Sequence, residues 1–101
     1  MYHARDTLRE LLDFIGTQDE FVKLVESKKT NVIHIVNFVE EIGHAKKLRL
    51  INHEIGKEQF DHIVCSTWVK LWPWITKHRH DRGNQKIWEE FEALYDAWKK
   101  P

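Results

Sequence analysis

Apolar residues recur along this chain with a helical period in every segment that has a clear period. Leu8, Leu11, Leu12 and Ile15 fall at i, i+3, i+4 and i+7, which predicts a first helix over Ala4 to Ile15 with Gly16 as its stop. Thr17-Gln18-Asp19-Glu20 then matches a capping box, with Glu three residues after Thr, ahead of Phe21, Leu24 and Val25. This second helix is short and fades into residues 27–30. Thr30 or Asn31 can cap a third helix, in which Ile35 or Val36, Val39 and Ile42 form one stripe. Because this helix is apolar on more than one side, it is expected to touch several neighbours. Gly43 near its end is expected to mark a close approach, since glycine otherwise only weakens a helix.

Asn52 offers the cap of a fourth helix, whose period runs through Ile55, Phe60, Ile63, Val64, Thr67, Trp68, Leu71, Trp72 and Ile75. Pro73 lacks a backbone donor and its ring crowds the preceding turn, which predicts a kink near residues 69–72 or a break there. After "HDRGN", a last helix starting at Asn84 or Gln85 would carry Trp88, Phe91, Leu94, Tyr95 and Trp98 on one face. Glu89, Glu90, Glu92 and Asp96 lie opposite. No strict apolar alternation lasts long enough for a sheet. The expected fold is all-α, a single domain over residues 1–101. It reads as a compact bundle of four to five helices, with a fourth helix kinked at Pro73 and paired antiparallel with an aromatic-rich C-terminal helix.

Charge narrows the function classes. Sixteen Lys and Arg balance sixteen Asp and Glu, so no overall field attracts nucleic acid or an anionic membrane. Cys65, the only cysteine, has no internal partner and lies in an apolar run. It is expected to be a small buried hydrophobe in a reducing, cytoplasmic setting. The longest stretch without Asp, Glu, Lys or Arg is Thr30 to Val39, too short for the roughly 20 residues that span a bilayer. The N-terminal "MYHARDTLRE" also lacks the apolar run of a secretion signal, so the chain is expected to be soluble.

Candidate chemistry is sparse. Glu41 and His44 have the Glu-x-x-His spacing that di-iron bundles use, and Glu58 with His62 form an i, i+4 pair that could face them. No second Glu-x-x-His exists, so a metal-binding bundle is only the alternative reading, and no cofactor is expected. Residues 70–86 hold five Lys or Arg against one Asp, beside tryptophans that could stack on bases. That keeps weak nucleic-acid binding as a further alternative, although acidic residues 87–98 argue against it. On a helix His78 and His80 diverge, and Lys77, Arg79 and Arg82 complement its C-terminal dipole. No paired carboxylates, Ser/His/Asp arrangement, phosphate loop or zinc spacing is present, so no enzymatic activity is expected.

The tryptophans carry the remaining signal. Trp68 and Trp72 sort to the core stripe of the fourth helix, and Trp74 falls off it. A chain of 101 residues has difficulty enclosing five indoles, and Trp is enriched at binding hot spots. Trp74, Trp88 and Trp98, with Lys77, Arg79 and Arg82 beside them, are therefore the candidate partner-binding residues. The partner is expected to be a protein, a second copy of this chain included.

Three motifs, "NFVEEIG" (residues 37–43), "TWVKLWPWI" (67–75) and "WEEFEALYDAWKK" (88–100), carry a family resemblance. In them the chain resembles a bacterial domain family of unknown function, found in small helical proteins that usually carry an N-terminal membrane helix. "TLRELLDF" (7–14) is similar to the segment that follows that helix in the family. The resemblance implies packing signatures and no catalytic residues. This chain departs from the family in lacking the membrane helix, which implies either a soluble variant, of the kind mobile elements carry, or a trimmed piece of a longer relative. The expected function is a non-enzymatic helical protein-interaction module acting as a small regulator or inhibitor, of the kind phages also carry.

Overall fold

Local start signals act where the sequence puts them. In the computed structural model, which describes residues 4–99, the Thr17 hydroxyl accepts the Glu20 backbone N–H at 3.1 Å. The Glu20 carboxylate in turn accepts the Thr17 N–H at 3.2 Å, closing the capping box. Asn52 Oδ1 accepts the Ile55 N–H at 3.1 Å and opens the longest helix. That helix ends at Gly83, which takes the left-handed conformation (φ 62°) that a side chain would strain. The described residues form five helices and no strand: α1 (Ala4–Asp13), α2 (Gln18–Ser27), α3 (Lys29–Lys47), α4 (His53–Arg82) and α5 (Glu89–Trp98). Residues 1–3, part of the segment read for a secretion signal, and Lys100, the end of the third motif, lie outside the described residues.

Four expectations need correction. α1 stops at Asp13, and Ile15, placed in its apolar stripe, is 96% exposed. α3 begins one residue after α2, so Thr30 and Asn31 lie inside it rather than capping it. The Asn31 side-chain amide instead donates to the Thr7 hydroxyl of α1 at 3.0 Å. Of the kink or break expected at Pro73, the break is the part overturned, since α4 runs through Pro73 as one helix. Pro73 removes only the bond to the Val69 carbonyl, which lies on the exposed side, while Leu71, Trp74 and Ile75 are buried around it and hold the helix by packing. α5 starts at Glu89 rather than at residue 84 or 85, because Trp88 has a left-handed backbone (φ 58°) that ends the preceding turns.

One core takes side chains from every helix, among them Leu11, Phe21, Val25, Val36, Leu71, Phe91 and Trp98. α5 packs against both α3 and α4, and α1 packs against both of them as well. The α3–α5 contact is built from Asn37, Glu40 and Gly43, which recur at i, i+3 and i+6 on one face of α3. Asn37 Oδ1 accepts the Trp88 indole N–H at 2.9 Å. The Glu40 carboxylate accepts the backbone N–H groups of Phe91 (2.7 Å) and Glu90 (3.3 Å), acting as a cap and a negative charge at the N-terminus of α5. A Cβ on Gly43 would stand 2.6 Å from the Glu90 carbonyl oxygen, so the close approach expected there is real. Among the described residues no helix is long and apolar enough to cross a membrane.

Candidate partner-binding face

Thr67, Leu71 and Trp74 fall at i, i+4 and i+7 of α4, and the structure buries all three. Trp74 is only 1% exposed. Its indole N–H donates to Glu26 of α2 at 3.3 Å, and its ring stacks on Trp88 at 5.5 Å and His78 at 5.2 Å. Trp98 is equally buried, with its N–H 3.5 Å from His53 Nδ1. Indoles enclosed by the fold and bonded within it are structural. Trp74, Trp88 and Trp98 are thus not a partner surface, and Trp72, read as core, is the tryptophan left 43% exposed at the other margin of the arc.

The cations predicted beside them are also dispersed. Arg79 is buried: Nε donates to the Ile87 carbonyl and Nη1 pairs with Glu92, both at 2.9 Å. Its guanidinium lies 5.6 Å over the Trp68 ring. Lys77 bonds Asp81 at 3.0 Å, which raises the lysine pKa and lowers that of the aspartate. Arg82 stays at the exposed end of α4. With Lys70 donating to the Phe14 carbonyl at 2.7 Å, the basic segment is largely committed to its own fold.

The exposed aromatic surface lies along α4 and α5. Trp72 packs on Trp68 (5.4 Å), which itself packs on Tyr95 (6.1 Å) and meets Phe91 edge-on (5.0 Å). Trp72 and the exposed Val69 therefore rest on a rigid base. Val69 and Tyr95 line two adjoining grooves. One, of about 410 Å³, includes Trp68, Trp72, Glu92 and Asp96. The other, of about 800 Å³, includes Leu12, His62, Cys65, Lys70 and Lys99. Lys99 sits 5.4 Å over the Tyr95 ring and 3.4 Å from Asp96, so both signs of charge border the aromatic centre.

Cys65 borders this face half-buried, short of the full burial expected of it. Partial burial, and then the charge of Asp61, push its thiol pKa up, so it stays protonated near neutral pH and is a poor nucleophile. Among the described residues no three His, Cys, Asp or Glu side chains gather as metal ligands. Glu41, His44, Glu58 and His62 are all exposed and form no such group, because Asn37, Glu40 and Gly43 claim the face of α3 that meets its neighbour. The arrangement suits holding an apolar or aromatic group between polar edges.

A family model described as a domain of unknown function, DUF4760, matches residues 2–98. The chain belongs to the DUF4760 family. No curated protein and no solved structure matches it. In this DUF4760 member the segment "NFVEEIG" is the seat of α5, through Asn37, Glu40 and Gly43. The tryptophans of the other two motifs divide into buried supports and the single exposed Trp72. The buried arc of α4 runs from Trp74 through Leu71, Ile75 and Trp68 to Arg79, which leaves Trp72 just past the opposite margin from Trp74, and periodicity alone does not say which margin a neighbour covers.

Proposed function

We propose that this DUF4760 member is a non-enzymatic interaction module that regulates or inhibits a protein partner through its α4–α5 face. The observation that carries the reading is Trp72, a large aromatic left half-exposed on a packed aromatic base, lining one groove that adjoins a second across Val69 and Tyr95. Tryptophan and tyrosine dominate interface hot spots, which sit at the centre of a patch with a polar rim. Glu92 and Asp96 beside Trp72 favour a protein over nucleic acid, since carboxylates there repel phosphate.

The test is affinity capture from native host cells with the wild-type protein and with Trp72→Ala and Val69→Glu, both at exposed positions. Circular dichroism should be unchanged in the variants, and a protein retained by wild type should be lost. With the partner identified, Trp72→Ala is expected to weaken binding roughly thirtyfold, the effect of a hot spot of about 2 kcal/mol. Equal retention by all three proteins overturns the reading. Sedimentation of wild type against Val69→Glu shows whether the partner is a second copy.

A further inference from the structure

α4 has a second flank, remote from Trp72. There a groove of about 470 Å³ runs between α1, α3 and α4, with Leu8, Ile35, Phe38, Ile42, Phe60 and Ile63 among its walls. Phe38 is 61% exposed at its lip, and the groove falls in the size range of small-molecule sites. Its lining is hydrocarbon apart from Arg5, His34 and Thr67.

These polar residues share one end. α3 and α4 are joined through residues 48–52, so Ile42 and Phe60 lie toward that connection, while His34 and Thr67 lie away from it. The bond between Asn31 and Thr7 fixes the Arg5 end of α1 at the same remote end. Arg5 makes no ion pair among the described residues and is exposed. Thr67 is 2% exposed, and its hydroxyl has no hydrogen-bond partner. A buried hydroxyl without a partner is rare and unfavourable. Thr67 lines the groove, and its hydroxyl makes no bond that a change of χ1 rotamer on ligand entry would break.

From this asymmetry we infer that the groove binds a single-chain anionic amphiphile of the long-chain carboxylate class, its chain along Phe38, Ile63 and Phe60 and its carboxylate between Arg5 and Thr67. Charge complementarity sets the direction of the ligand, and the orphan hydroxyl supplies a donor for one carboxylate oxygen. The site stands independently of the α4–α5 face, which lies on the other flank.

Calorimetric titration of the full chain with dodecanoate and with dodecanol, both below their aggregation thresholds, tests it. Dodecanoate should bind one per chain, at least about tenfold tighter than dodecanol, the effect of one charge-assisted bond. Arg5→Gln should erase that preference, and Phe38→Glu should abolish binding while circular dichroism stays unchanged. Thr67→Val should weaken dodecanoate several-fold while raising the melting temperature, because the orphan hydroxyl is gone; a purely structural Thr67 would leave the affinity unmoved. Equal affinity for both ligands, with no effect of Arg5→Gln and Thr67→Val, overturns the inference as mere apolar adsorption. It is equally overturned by binding to anionic vesicles but not to free dodecanoate, or by a wild-type dimer that binds no dodecanoate and that Phe38→Glu dissociates.

Discussion

His78 completes a three-ring aromatic cluster, 5.2 Å from the Trp74 ring and 5.0 Å from the Trp88 ring. Burial first, then the charges of Arg82 and Lys29, lower its pKa, against a smaller pull from Glu26 and Asp81. The folded state therefore favours the neutral imidazole, while the unfolded chain titrates near about 6.5. Its contribution is fully present above that pH and is lost as pH falls from there through the depressed folded value. Melting curves between pH 5 and 8 should show stability declining below about 6.5, and His78→Phe should make the decline shallower; an unchanged slope would assign it to other groups. At this scale the sequence was legible where periodicity decides and illegible where a neighbour does. Trp72 and Trp74 sit at opposite margins of one buried arc. Only the placement of α2 and α5 determines which margin is covered. Arg79 read as a helix-end cation for the same reason, since its partners Ile87 and Glu92 belong to the next turn and helix.

Two helical glycines test what holds the elements together. Gly43 and Gly56 are both buried in helices, and replacing either with Ala should raise intrinsic helix propensity by up to about 1 kcal/mol. At Gly56 the new methyl would find Ile51 and Trp98 at 3.5 Å, ordinary contact, so Gly56→Ala should stabilise the protein. At Gly43 it would strike the Glu90 backbone at 2.6 Å, so Gly43→Ala should destabilise by about 1–3 kcal/mol through displacement of α5. Chemical denaturation of the pair checks the opposite signs. Caps were legible when local, as at Thr17 with Glu20 and at Asn52. The start of α5 was not, because Trp88 makes no side-chain cap and the bonds come from Glu40, on another helix. Sequence proximity carries no trace of such a partner.

For the whole molecule, the burial pattern makes four tryptophans interior and one accessible. Iodide, which does not enter a packed core, should quench mainly Trp72, and Trp72→Phe should remove most of the quenchable emission. Substantial iodide quenching in that variant would contradict this packing. The all-α class was readable from period alone, whereas the three grooves were not, because each is a space left by how separate elements are placed, which no periodicity carries. The remote cap also sets an order of events during synthesis. Glu40 and Phe91 are separated by 51 positions, an interval of roughly 3–10 s at ordinary elongation rates. A ten-residue α5 is too short to persist alone, so it forms only on a surface already waiting for it. Until then the nascent chain holds bare the seat at Asn37, Glu40 and Gly43 and the indoles of Trp68 and Trp74. A ribosome halted before residue 89 leaves that seat and those indoles open to chaperones and proteases, and the arrival of α5 closes over them.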